Sequence, residues 1–461
     1  MKQLLKFSGY FLLGLCGLIV LAVIILKLIS DEQYKAWTTA AAESATGREL
    51  AIDGPFNLKF GTKIGLLAQD IRFSNAEWGS RNEMVTADRL YIELSLLPLI
   101  KGILDLTVEL DGPDVLLEKN DRGEGNWTFS SAGDTAAEPA KLPADMEAEK
   151  SIILPVKPYI RNFKIRNFLF AFNNPAADQA IEARLETLRL FVDDNEELPL
   201  TLSAVYQGSP VILEGTLGNI NDWHSNKQTP IILNGKLNEA AIKIEGTAGP
   251  LFPQPAARFD LSLTAANIAT FTPFAGINLP ELAGLDIGLT AHASGDQTAL
   301  ENIKINLADP QLSVAITGDV KDLNTVTGIS LKAEVRTDLG TALSQKLGAL
   351  NIESIPDSLL FSAALQGDLE SLSMTDLNVS VEDQGIDIKL SGKMENVLKL
   401  KGADATLTAT IETLDIIGGY IGQKLPGFGP IDMSATLISP DNVTQLKSLM
   451  ISALQIGRAH V

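Results

Sequence analysis

Residues 106–129 read LTVELDGPDVLLEKNDRGEGNWTF, and Glu109, Asp111, Asp114, Glu118, Asp121 and Glu124 crowd into them beside Asn126 and Trp127. Carboxylates at this density suit general acid–base chemistry only if two converge in environments that push their pKa values apart. The spacing argues otherwise. Leu104, Leu106, Val108 and Leu110 alternate with Asp105, Thr107 and Glu109, so the acids alternate outward on a strand that ends at Leu110 or sit in turns. Asp111-Gly112-Pro113 reads as a turn, Val115 to Leu117 as a second short strand, and Asn120 to Gly125 as a polar tip. The stretch predicts a hairpin rather than a catalytic site.

The remaining chemical candidates are few. His224 and His292 stand alone, and Cys16 is the single cysteine, so no cluster has metal-ligand spacing. Asp193-Asp194-Asn195-Glu196-Glu197 lacks the EF-hand arrangement. There is neither a P-loop nor a G-x-S-x-G elbow. No metal, no cofactor and no enzymatic activity are expected. Lys157, Arg161, Lys164 and Arg166 form a basic cluster that suits phosphate headgroups, or else balances nearby acids on a charged strand face. A formal net charge of −20 argues against nucleic acid as a partner.

The elements that would position such residues follow from hydropathy. Residues 7–26 are uncharged and flanked by Lys6 and Lys27, long enough to span a bilayer as a helix. Lys2 and Lys6 before the span, and Asp31 and Glu32 after it, put the N-terminus in the cytoplasm and the bulk of the chain outside it. Tyr34 and Trp37 are the candidate membrane-interface residues. Residues 32–45 read as an Ala-rich helix ending near Gly47. Strand patterns fill the rest, apart from a helical pattern over 338–347.

Segments opened by Leu279-Pro280, Ile355-Pro356 and Leu425-Pro426 repeat at spacings of 76 and 70 residues. The expected organisation is an anchor at 1–30 and a helix plus β region at 31–129. A disordered linker at 130–150 and further β structure at 151–270 follow, then repeats at 271–455. Residues 456–461, IGRAHV, are what ATC GGA AGA GCA CAC GTC in a common sequencing adapter encodes, so they are set aside and a truncated chain is expected.

Several short pieces resemble the N-terminal region of the AsmA family. They are Thr46-Gly47-Arg48-Glu49-Leu50, Asp70-Ile71-Arg72-Phe73-Ser74-Asn75 and Leu94-Ser95-Leu96-Leu97-Pro98-Leu99-Ile100-Lys101-Gly102. Gly112-Pro113-Asp114-Val115, Asn126-Trp127-Thr128-Phe129 and IRNFKIRNFLFAF at 160–172 follow in the family's order. The resemblance covers 1–172 well and the repeats more loosely. It implies a bacterial inner-membrane protein facing the periplasm, with a long sheet curled into an apolar groove of the bridge-like lipid-transfer type. Phospholipids, the inner membrane and outer-membrane or periplasmic proteins are the implied partners.

A sheet with one dry face must cover it. The residues alone leave two solutions open, a closed sandwich core or a sheet curled around something apolar. The fold class expected is mainly β: a transmembrane helix, then an antiparallel, repeat-built sheet with a few short helices. Leu104, Leu106, Val108, Leu110, Leu312, Val314, Ile316, Ile386, Ile388 and Leu390 are the candidate groove lining. Lys157, Arg161, Lys164 and Arg166 are the candidate headgroup contacts. The function expected is phospholipid transport between inner and outer membranes or outer-membrane homeostasis. The alternative is a non-transporting scaffold or assembly factor for outer-membrane proteins.

Overall fold

The computed structural model describes residues 29–129, 157–177, 179–251, 254–347, 355–421, 423–439 and 445–453. The expected span at 7–26, the linker at 130–150 and residues 456–461 lie outside the described residues. Among the described residues, no helix is long and apolar enough to cross a membrane. The protein is mainly β, with twenty-three mostly antiparallel strands and a few short helices among the described residues. The chain divides into two compact units, Met1–Ser225 and Asn226–Val461.

In the first unit, helix α1 (Asp31–Thr46) begins where the Ser30 side chain accepts from the Gln33 N–H, and it ends at Gly47 with φ 68°. The Asp31 carboxylate accepts from the Leu58 N–H at 3.1 Å, and Tyr34 packs on the cluster Ile52, Phe56 and Ala68. These contacts tie the helix to β1 (Leu50–Ile52), β2 (Phe56–Lys59) and β3 (Lys63–Ser74). The sheet continues through β4 (Glu83–Ser95), β5 (Ile103–Asp111), β6 (Asp114–Glu118) and β7 (Lys157–Asn174). It is completed by β8 (Gln179–Leu190), β9 (Glu197–Tyr206) and β10 (Ser209–Asn219). Between β4 and β5 the chain forms one turn of helix, α2 (Leu96–Leu99). A second short helix, α3 (Ile220–His224), follows β10.

Two expectations are corrected here. Asp111-Gly112-Pro113 is not a reversal. Strand β4 pairs with β5 at Arg89↔Asp111 and with β6 at Thr86↔Asp114, in one unbroken register. β5 and β6 are therefore one strand line with a kink. Pro113 has no N–H to donate, and Gly112 takes φ 60°, so the ladder is interrupted without turning back. The reversal comes later, where Lys119 bridges Gly125.

The pairing of β5 and β6 with β7 is also parallel rather than antiparallel, as in Val108↔Phe163 and Val115↔Phe170. Parallel neighbours need a long crossover. Residues 119–156 supply it, and 130–156 of these lie outside the described residues.

The second unit is an antiparallel meander in which each strand pairs with the next. It runs through β11 (Thr229–Leu237), β12 (Ala240–Ala248), β13 (Ala256–Asn267), β14 (Ala283–Ser294) and β15 (Gln297–Asp309). Strands β16 (Leu312–Asp322), β17 (Thr327–Asp338), β18 (Ser358–Gly367) and β19 (Ser373–Asp383) follow. The last four are β20 (Ile386–Asn396), β21 (Lys401–Ile411), β22 (Ile431–Ile438) and β23 (Gln445–Ala453).

Helices α4 (Thr272–Ala275), α5 (Gly340–Leu347) and α6 (Leu414–Ile421) follow β13, β17 and β21, so a helix recurs after every fourth strand. The X-Pro pairs of the sequence repeat fall between each helix and the next strand. The repeat has a backbone signature too. Asn302 in β15 and Asp376 in β19 take φ 54° and 52° at matching register shifts. Close beside them, a Cβ on Gly318 would lie 1.9 Å from the Ser330 carbonyl oxygen, and one on Gly392 would lie 2.5 Å from that of Asp404. The glycines are there because neighbouring backbone approaches too closely for a side chain.

Candidate functional site: two apolar sheet faces

Period-two patterning in adjacent strands places like residues in rows across a sheet. In the first unit, one row runs Leu66, Ile92, Val108, Phe163, Leu190 and Leu200. A second runs Leu90, Leu110, Ile165, Leu188, Leu202 and Leu213. Leu106 joins Leu94 and Ile160 in a third, and Leu104 pairs with Pro158. All four candidate lining residues of β5 therefore share one apolar face.

In the second unit, a row of partners crosses eleven strands from β13 to β23. It is Ala265, Leu285, Leu307, Val314, Val335, Phe361, Val379, Leu390, Leu407, Ala435 and Leu449. Leu312 and Ile388 belong to the flanking row through Thr337, Leu359 and Val381, Ile316 lies across from Ala333, and Ile386 sits across from Ile411. The opposite face of β16, β17, β20 and β21 carries Thr317, Lys332, Glu334, Lys389, Thr406 and Thr408, all exposed.

Burial separates what is covered from what is not. A strand residue becomes half-buried through its ladder neighbours, but full burial needs a second layer. Val335, Phe361, Val379, Leu390 and Leu407 are all half-buried. One cluster in this unit is closed: Leu282, Leu307, Leu343 and Leu347, with Leu312 and Val314 packed against it. Leu343, from α5, is 1% exposed and acts as the plug.

An ion pair seats the helix. Lys346 Nζ donates to both oxygens of Asp309, at 3.0 and 2.9 Å, and the Ala283 and Gln311 N–H groups donate to the same carboxylate. Burial pushes the Asp309 carboxyl up, but these backbone donors and Lys346 outweigh it and leave it below the usual range. Of the candidate lining, Leu312 and Val314 are thus under α5 and Ile386 is fully buried, while Ile316, Ile388 and Leu390 are half-buried on the open stretch.

The basic cluster is on the other side of its sheet. Arg161 forks onto Asp105 and Arg166 onto Asp111, so both guanidiniums are neutralised by β5. Arg89 bridges Glu109 and Asp111 at 3.1 and 3.2 Å. Lys164 lies across from Glu109, and Lys157 is the exposed first residue of β7. The hydrogen bond from Arg166 holds the Asp111 carboxyl below its usual range, and that from Lys63 does the same for Glu93. Of the acids in the opening stretch, Glu109, Asp111 and Asp114 meet arginines rather than one another. The structure does not bring the four basic residues to the face that Leu106 and Val108 line.

Two further features were not read from the sequence. Asn126, fully buried, donates to the Asn75 side chain and the Leu116 carbonyl at 2.9 Å each and accepts from the Glu118 N–H at 3.0 Å. The buried Glu118 carboxylate accepts from Asn75 and from the Ser80 N–H. Arg48 reaches the Thr128 carbonyl at 3.3 Å and lies 5.0 Å from the Phe129 ring centre. Residues from three of the short pieces therefore close into one clasp.

A sequence model of the AsmA family matches residues 1–193. Over those residues the chain is similar to the AsmA family. No curated protein and no solved structure matches the chain. The matched residues run from α1 to β8 and include the clasp, the ion-pair lattice and the β3–β8 members of the first apolar rows. Within it, Tyr34 stacks edge-on to Trp37 at 5.7 Å and contacts Phe60 at 5.6 Å, so Tyr34 is engaged by the sheet while Trp37 remains 54% exposed.

Proposed function

We propose that this protein is an inner-membrane-anchored periplasmic carrier that moves phospholipid between the inner and outer membranes or maintains the outer membrane. The observation that carries the reading is the row of apolar side chains that stays half-buried from Val335 to Leu407, with no second layer over it among the described residues. Acyl chains suit such a face, since each buried methylene contributes about 0.8 kcal/mol. Similarity to the AsmA family over 1–193 supports a membrane- or lipid-related role. Tails would lie on the apolar face while headgroups stay in water. The basic cluster, on the opposite face and bound to its own acids, is left out of this mechanism.

A second reading draws on the closed cluster under α5. If such packing is the rule, the protein is a scaffold or assembly factor for outer-membrane proteins. Native mass spectrometry with lipid extraction on the purified full chain separates the two. Bound phospholipid that is lost in Ile316→Asp and Leu390→Asp, while Thr408→Asp on the polar face keeps it, supports the carrier. A folded chain that stays empty when offered phospholipid vesicles sinks it.

A further inference from the structure

The first unit has a corner that neither the apolar rows nor the clasp uses. Three elements meet there. The Asp31 carboxylate at the start of α1 accepts from the Leu58 N–H in β2, and the Tyr34 ring lies 5.6 Å from that of Phe60. The Leu96 N–H of α2 donates to the Thr62 carbonyl at 3.0 Å. The start of α1, the β2–β3 connection and α2 therefore share one end of the sheet.

That end exposes hydrocarbon. Leu97 is 63% exposed and Ile100 84%, and Trp37, whose ring is 5.7 Å from that of Tyr34, is exposed too. The turn that carries the two aliphatic side chains is fixed. The Ile100, Lys101 and Gly102 N–H groups donate to the Leu97, Pro98 and Leu99 carbonyls at 3.3, 2.9 and 2.9 Å. Pro98 has no N–H to satisfy. Leu97 and Ile100, three residues apart, are neighbours on such a turn. A turn whose backbone groups are bonded within it can present its apolar tips to lipid without stranding a donor or acceptor.

What covers this corner follows from chain length. The uncharged run 7–26 is long enough to cross a bilayer, and it ends five residues before Asp31. Five residues reach at most about 18 Å. Asp31 is tied to the sheet at Leu58, so a bilayer crossed by that run lies beside this corner. Strands β3 and β4, 12 and 13 residues long, carry exposed Trp78 to their other end, about 40 Å along. Charge neither drives nor forbids the placement. Lys63 pairs with Glu93 and Arg161 with Asp105. Lys35, Lys59, Lys101 and Lys157 stand against Asp31 and Glu32, while Asp193, Asp194, Glu196 and Glu197 lie past β7, where β8 joins β9.

We propose that Leu97 and Ile100 enter the periplasmic leaflet of the membrane that holds residues 7–26, with Trp37 at its interface, so that this end of the sheet is seated on the bilayer. The placement rests on the anchored reading of the proposed function and adds which residues meet the lipid. Small aliphatic tips beside an interfacial tryptophan fit a fluid leaflet. The apolar row of Leu94, Leu106 and Ile160 begins next to the turn, so an acyl chain leaving the leaflet here meets that row first.

The test uses the full chain, with Cys16→Ser, in vesicles of phosphatidylethanolamine and phosphatidylglycerol. Spin labels are placed singly through Leu97→Cys and through Glu77→Cys, beside Trp78. Each label is read for contact with oxygen, which partitions into lipid, and with a nickel chelate, which stays in water. The expected result is oxygen contact at position 97 and chelate contact at position 77. Ile100→Asp lowers the oxygen contact at 97 while the circular dichroism stays that of the parent. Carbonate extraction of the same vesicles reads the anchor separately. A chain that carbonate removes overturns the anchored reading and this placement with it. A retained chain with position 97 in contact with the chelate overturns the placement alone. Equal oxygen contact at 97 and 77, the mark of a sheet lying flat on the bilayer, overturns it as well. So does dipolar broadening at 97 without oxygen contact, the mark of a second copy over the corner.

Discussion

Two leucines test whether the apolar face of the second unit is open. Leu343 is 1% exposed and plugs the cluster under α5, whereas Leu390 is half-buried in a ladder between Val379 and Leu407. Leu→Ala removes three carbon groups' worth of burial, about 2.4 kcal/mol at full burial. At Leu343 the surrounding side chains cannot wholly collapse, so the expected cost is about 3–4 kcal/mol. At Leu390 roughly half the transfer is lost and no cavity forms, so the expected cost is about 1 kcal/mol.

Hydrogen exchange read by mass spectrometry on lipid-stripped full chain measures each site locally, which suits a protein of two compact units. Leu343→Ala should speed exchange in α5 and in β15–β16 by more than about a hundredfold, and Leu390→Ala in β19–β21 by about fivefold, 1.4 kcal/mol being tenfold. Leu390→Asp sharpens the contrast, because a carboxylate on an open face stays hydrated and one under a second layer does not. Equal costs at the two leucines, or unfolding of β19–β21 by Leu390→Asp, would refute the open face.

Three further outcomes follow from the same geometry. Asn126→Ala removes three hydrogen bonds from a buried site and should destabilise the first unit by about 2–4 kcal/mol, measured as faster exchange in β3, β4 and β6. The Asp309 carboxyl is depressed in the folded state, so its contribution is present above the unfolded pKa of about 3.9 and is lost as pH falls through the lower folded value. Protection of α5 should therefore hold down to about pH 4 and fall below it, and Lys346→Met should weaken it by about 1–2 kcal/mol at neutral pH. Gly318→Ala, with its Cβ 1.9 Å from a carbonyl oxygen, should lower the thermal midpoint clearly, whereas Gly288→Ala, which meets nothing within 4 Å, should leave it almost unchanged.

What could be read from the sequence was what depends on near neighbours. Alternation at Leu104 to Leu110 and at Ile386 to Leu390 put those residues on a common face, because strand period is a local property. The helix over Asp31–Thr46 was marked by its own residues and by Gly47. What escaped depends on residues far apart in the chain. Arg161 and Asp105 are separated by 56 residues, and Asn75 and Asn126 by 51. The kink at Gly112-Pro113 has the composition of a turn, and its pairing with β4 and β7, distant in the chain, keeps it straight. Leu312 and Val314 have the same sequence signature as Ile316, yet α5 covers the first two and not the third, because the helix is short.

A sheet with one uncovered face must find its stability elsewhere. Backbone ladders and cross-strand side-chain pairs contribute over both units, and ion pairs such as Arg89 with Glu109 and Asp111 bind the polar face of the first. Exposed pairs of that kind are worth about 1 kcal/mol or less each. They therefore cannot replace the second layer that the apolar rows lack. A ligand that binds only the folded face adds RT ln(1 + [L]/Kd), about 2.7 kcal/mol at a hundredfold excess over Kd. Phospholipid should then protect β17–β21 preferentially over the segment already closed by α5. Uniform protection of the whole chain would mean that lipid acts through the solvent or an anchor rather than on this face. No protection at all would leave the apolar rows exposed for some purpose other than holding lipid.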